Sequence, residues 1–190
     1  MTSPQTILVL LGLILSSISN YALGLDPKIQ QQLSQIEFAN KGNFKQENKL
    51  QGIPFPIKSS GHYEFSSGTL TWQNRKPIKS SLVLTADTIE QYVAGEKRLS
   101  VSADEQPILR TINQLFLTLF DRDWSKLSES FKLKLTNTEE QWQLKLTPKQ
   151  ETIGVAIESA SVYGDIKIRR FEFTKSNKDQ TMIWFTDEDK

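Results

Sequence analysis

The chain has 190 residues, 23 Lys and Arg against 22 Asp and Glu, and a formal net charge of +1. That length makes one domain the default, and so even a charge balance gives no footprint for nucleic acid. The longest basic run, Lys167 to Arg170 with Ile168 inside it, is too short for adsorption to an anionic membrane by charge alone.

Hydrophobic content is 37% and mean hydropathy −0.41, a polar average that fits a sheet wetted on one face. Ile7 to Ile18 is nearly all apolar, the length of a signal h-region and shorter than the roughly 20 residues that span a bilayer. Small residues follow at Ala22 and Gly24, so residues 1–24 are expected to be a signal peptide cleaved after Gly24, and residues 25–190 a single domain. The alternative is an uncleaved N-terminal anchor, because no Lys or Arg precedes the apolar run. The chain has no Cys. An exported protein of this kind has no disulfides and no cysteine for a lipid anchor, and must be held by burial alone.

Leu25 to Phe38 has the spacing of an amphipathic helix, with Leu25, Ile29, Leu33 and Ile36 on one face and Asp26-Pro27 as its start. Short alternating runs then predict strands near 39–49, 59–65, 69–73, 79–85, 88–93 and 97–102. Gly52-Ile53-Pro54-Phe55-Pro56 is excluded from any central strand, since two prolines remove two ladder donors. Pro107 opens a second helix behind Asp104 or Glu105. Its residues Ile108, Leu109, Ile112, Leu115, Phe116, Leu119 and Phe120 repeat at 3 and 4 spacing. Strands resume near 131–136, 141–147, 153–159, 166–174 and 181–186. Tyr163-Gly164-Asp165 is a turn signal.

The expected fold class is α+β, mainly β: a strongly curved, unclosed antiparallel sheet of 10–11 strands capped by helices. Phe44, Tyr63, Phe65, Leu70, Trp72, Leu82, Leu84, Phe131, Leu133, Trp142, Leu144, Leu146, Phe171 and Phe173 alternate onto single strand faces. Two readings share that pattern: an ordinary packed β core, and an apolar cavity whose walls are these side chains. Alternation alone does not separate them, because both require an apolar inner face.

Catalytic signals are missing. His62 is the single histidine, with no acidic cluster at ligand spacing beside it. No nucleophile elbow, phosphate loop or dinucleotide fingerprint occurs. Asp121-Arg122-Asp123 is expected to end the second helix, and Asp187 to Asp189 to be a solvated tail. The reading is therefore a non-enzyme without cofactor or metal.

The order of these pieces resembles the LolA family of periplasmic lipoprotein carriers. The resemblance rests on the first helix running into Gly42-Asn43-Phe44-Lys45-Gln46, on Ser60-Gly61, Leu70-Thr71-Trp72, Lys76-Pro77 and Leu146-Thr147-Pro148-Lys149. In particular the chain is similar to a divergent branch associated with MMPL-type exporters. The resemblance implies a monomeric periplasmic half-barrel whose apolar cavity takes the acyl chains of a lipoprotein or lipid. It would move them from an inner-membrane exporter to an outer-membrane acceptor. The implied lining is the strand set above without Leu146, joined by Ile112, Leu115, Phe116 and Leu119 of a lid helix. The alternative is a non-catalytic accessory subunit of such an exporter. The family's lid-bonding Arg before a Pro has no counterpart in Phe65-Ser66-Ser67-Gly68.

Overall fold

The computed structural model describes residues 27–102, 105–137 and 141–188. The expected signal segment, Leu25, the Asp26 cap, Asp104 and Asp189 lie outside these residues. Helix α1 (Pro27–Ser34) leads into strand β1 (Lys41–Lys49). A meander follows: β2 (Ile57–Ser66), β3 (Thr69–Lys76), β4 (Ser80–Leu84), β5 (Thr88–Val93) and β6 (Glu96–Ser102). Helices α2 (Pro107–Asp121) and α3 (Trp124–Ser130) come next, then β7 (Phe131–Asn137) and β8 (Trp142–Pro148). The short α4 (Glu151–Gly154) precedes β9 (Ile157–Gly164), β10 (Ile168–Lys175) and β11 (Gln180–Thr186).

All eleven strands form one antiparallel sheet in the order β6-β5-β4-β3-β2-β1-β11-β10-β9-β8-β7. The first and last strands pair along their length, from Asn43 opposite Thr186 to Lys49 opposite Gln180, and so join two meanders into one surface. The sheet is open, with β6 and β7 as its two edges. Its curvature is visible in the rings. Trp72 on β3 and Phe171 on β10 sit four strand positions apart, about 19 Å across a flat sheet. Both nevertheless touch Phe116 of α2, with ring centroids 6.4 and 5.3 Å away. The sheet wraps around α2.

The core lies between that inner face and the helices. Alternate residues supply it: Phe44 from β1, Tyr63 and Phe65 from β2, Leu70 and Trp72 from β3, Leu144 and Leu146 from β8, Phe171 and Phe173 from β10, Ile183 and Phe185 from β11. Helix α2 begins with Pro107 in its first turn, where a missing N–H costs nothing. It ends at Arg122, whose left-handed backbone turns its N–H back onto the carbonyls of Leu119 and Thr118. The Asp123 side chain then accepts from the Lys126 N–H at 2.9 Å and starts α3.

Several boundaries differ from expectation. Helix α1 stops at Ser34 rather than Phe38, because the Glu37 backbone bonds instead to the turn at Ile166 and Ile168, at 3.0 Å each way. Ile36 and Phe38 are buried all the same. Glu105 does not cap α2; Gln106 takes that position without a side-chain bond. Residues 153–159 do not form one strand. Gly154 and Val155 donate back to Gln150 and Glu151 in a helical turn, and β9 starts only at Ile157. Helix α3 was not expected, since Asp121-Arg122-Asp123 reads as a terminus; the second helix does end there.

Two substitutions test this packing. Leu146 is fully buried, and Leu146→Ala is expected to lower stability by about 2–5 kcal/mol in urea unfolding. Gly61 sits at a bulge where an added Cβ would fall 1.8 Å from the Gln73 carbonyl oxygen. Gly61→Ala should therefore cost about 1–3 kcal/mol by pushing β3 away from β2, whereas Gly68→Ala meets no neighbouring atom and is strained only through its positive φ of 74°.

Candidate functional site

The concave face gathers the residues expected to line a site, and what they carry is apolar area. Phe44 stacks on Trp72 at 3.8 Å between centroids, and Tyr63 continues the stack 6.1 Å from Trp72. Phe120 of α2 closes over Tyr63 and Phe65 at 5.4 and 5.8 Å. Phe116 stands edge-on to Phe171 and Phe173. Burial pushes the Tyr63 phenol well above its usual range, with the Asp187 charge adding to it, so the ring stays neutral.

Every residue of the implied lining lies on this face or on the helix above it. Phe44, Tyr63, Leu70, Leu119, Leu144 and Phe171 are fully buried. Phe65, Trp72, Leu84, Leu115, Phe131 and Phe173 are buried nearly as deeply. Leu82, Ile112, Phe116, Leu133 and Trp142 are half-buried against them. Trp142 also secures a turn. Its indole Nε1 donates to the Asp165 carbonyl, and its ring fills the space a side chain on Gly164 would need. Sequence reasoning missed Phe185, which touches Phe38, Tyr63, Trp72 and Phe120 at the centre of the cluster. The available signal was the alternation of Ile183 and Phe185, masked by the apolar Met182 and Trp184 between and beside them.

The described inner face is thus occupied by the protein's own rings. Space remains at the helix borders. A cleft of about 390 Å³ runs between α1 and the α2–α3 elbow, past Leu33, Ile36 and Trp124. Another of about 220 Å³ separates α2 from α3 and reaches Leu115 and Phe131. Asn113 is the most deeply buried polar side chain described on helix α2. Its Nδ2 donates to the Thr85 carbonyl at 2.6 Å, tying the helix to the β4–β5 turn, while its buried Oδ1 has no partner among the described residues.

His62 points to the outer side of β2, where its Nε2 lies 3.3 Å from Glu188. Lys41 shares that carboxylate at 3.0 Å and holds the chain beyond β11 against β1 and β2. Among the described residues no group of three or more acidic, His or Cys side chains is placed to hold a metal ion. No described helix is long and apolar enough to cross a membrane.

The Asn113 tie makes a contrast in substitutions. Asn113→Leu removes the bond and the unpaired oxygen together but leaves the Thr85 carbonyl without that donor, and is expected to cost about 1–2 kcal/mol. Asn113→Asp buries an unpaired carboxylate against the Thr85 carbonyl and should cost about 3 kcal/mol or more. It should also raise amide exchange in residues 109–120 and binding of an apolar dye, both measurable against the Leu variant.

Among protein families, the model for "Outer membrane lipoprotein carrier protein LolA" matches residues 38–190. No curated protein matches the chain. Among solved structures, a proposed outer membrane lipoprotein-sorting protein domain from Vibrio parahaemolyticus is similar at 11% identity and a TM-score of 0.43, over 84% of this chain and 89% of that one. A DUF1329 family protein from Desulfovibrio piger is similar at 10% identity and a TM-score of 0.44, over 84% and 89% of the two chains.

Proposed function

The chain belongs to the LolA family of outer membrane lipoprotein carriers, and from that premise we propose that it carries acyl chains on its concave face, under α2. The observation that supports this is the match between lid and cargo. Helix α2 covers the aromatic face with Ile112, Leu115, Phe116, Leu119 and Phe120. Lifting five such side chains into water costs about 10 kcal/mol, and burying a chain of roughly fourteen methylenes returns a similar amount. Lid and hydrocarbon then compete for one surface on nearly equal terms. Such a carrier loads and unloads without nucleotide or metal, and direction follows from the relative affinities of donor and acceptor.

In this reading the form described above is the closed one. The elbow at Arg122 and Asp123 is the hinge, and the cleft between α2 and α3 is where a chain first enters beside Leu115 and Phe131. The lining is the set of seventeen residues from Phe44 to Phe173. The site of action is the periplasm, the donor an inner-membrane exporter and the acceptor an outer-membrane component. Cargo is the acyl portion of a lipoprotein or lipid, and no catalytic residue is assigned. The tight ring packing favours a second reading, in which the filled domain is an accessory subunit that docks on the exporter.

One titration separates the two. A brominated fatty acid is expected to quench the protein's tryptophan emission, and Trp72→Phe to remove much of that quenching, whereas Trp184→Phe, on the outer face, should leave it. Native mass spectrometry of protein from the periplasm should show bound lipid. Unquenched emission together with lipid-free protein, and capture of an exporter, would replace the carrier by the accessory subunit.

A further inference from the structure

The register brings two connections to the same end of the sheet. Asn48 pairs with Ile57 and Ser60 with Lys76, so the loop Leu50–Pro56 and the turn Pro77–Lys79 lie side by side. Four of the most exposed large apolar side chains stand there: Phe55 at 77%, Ile78 at 67%, Ile53 at 47% and Ile57 at 46%. Scattered exposed leucines need no explanation, but a cluster does. Around it Lys49, Arg75, Lys76 and Lys79 are exposed, and none of the four is ion-paired to a described residue. The nearby acids are engaged. Glu47 pairs with Lys58 at 3.0 Å, and Asp179 accepts from the Gln51 N–H at 2.9 Å and from Asn177.

We propose that this rim is a docking edge for the surface of an anionic phospholipid bilayer. Aliphatic and phenyl groups of this reach enter the boundary between headgroups and acyl chains, while lysine stems lie along it and keep their ammonium groups among the phosphates. A long basic run in the sequence is not needed, because the register sets Lys49 of β1 beside Arg75, Lys76 and Lys79. The loop is braced for the purpose: Gln51 is bonded through its backbone to Asp179 and through its side chain to the Lys178 carbonyl, and Pro54 and Pro56 limit its freedom. A peptide partner adding a strand is disfavoured here, since β1 to β4 are each paired on both sides. The inference concerns where the protein touches a membrane and does not depend on what its concave face holds.

The chain has no cysteine, which permits a site-resolved test on the full protein. Phe55→Cys and, at the opposite end of the sheet, Asp87→Cys are each labelled with the same nitrobenzoxadiazole dye. They are mixed with vesicles of phosphatidylglycerol and phosphatidylethanolamine. The label at residue 55 is expected to shift to the blue and gain at least twofold in intensity, and that at residue 87 to remain in water. Adding Lys76→Glu and Lys79→Glu to the residue 55 variant should weaken vesicle affinity at least fivefold, with tryptophan quenching by brominated fatty acid unchanged. A label at residue 55 that stays in water, or equal shifts at both sites, overturns the docking edge. A lost edge with intact quenching leaves the carrier reading standing, and the reverse result leaves the edge.

Discussion

One pairing sets the terms for this molecule: the antiparallel join between its first and last strands. That join places the end of the first meander and the start of the second at the two far edges of an eleven-stranded sheet. The segment between Ser102 and Phe131 must therefore travel from one edge to the other. A crossing over a face whose alternate residues are apolar has to be apolar too, and helical, so that its own backbone groups stay bonded. Helix α2 meets both conditions. Its place over the aromatic face is a consequence of topology before it is a matter of function. The wrap of the sheet around Phe116 follows, because a flat sheet would leave one helix unable to touch both β3 and β10.

The elements that were legible in the sequence are those with one wet face. β5 falls on residues 88–93 as expected, and β1 to β4, β6 to β8 and β11 fall within a few residues of expectation, because polar residues mark their outer sides. Where both faces carry large apolar groups the period is lost, and Phe185 went unread for that reason although it sits at the middle of the ring cluster. Local pattern also overextended α1, since nothing near Glu37 in sequence announces its backbone bonds to a turn 130 residues away. The exposed rim is a third kind of omission. Phe55 and Ile78 are ordinary loop residues until the register sets their connections together.

The candidate lining shows the same division. Alternation identified which side chains share the inner face, and the structure gathers all seventeen into one cluster with the helix above them. Periodicity carries no term for what stands opposite a side chain, so it does not tell a wall from a core. Ring contacts near 4 Å between Phe44 and Trp72, and between Phe38 and Phe120, mark a surface satisfied by protein atoms in this form. For such a surface, the capacity to hold a ligand depends on how readily its cover exchanges for hydrocarbon.

Asn113 bears on that exchange. A helix cover held only by apolar contacts would slide, since such contacts are non-directional. The bond from Nδ2 to the Thr85 carbonyl gives α2 one direction and one register against the β4–β5 turn. The Oδ1 of the same side chain, buried without a partner among the described residues, works the other way, because such an acceptor costs about 1–3 kcal/mol, which water would restore if the helix lifted as the carrier reading proposes. A single amide thus both seats the cover and limits how firmly it is seated. That division within one side chain supplies positional definition at little net stability, and in the proposed carrier it would keep the covered form within reach of a ligand worth only a few methylenes more than α2.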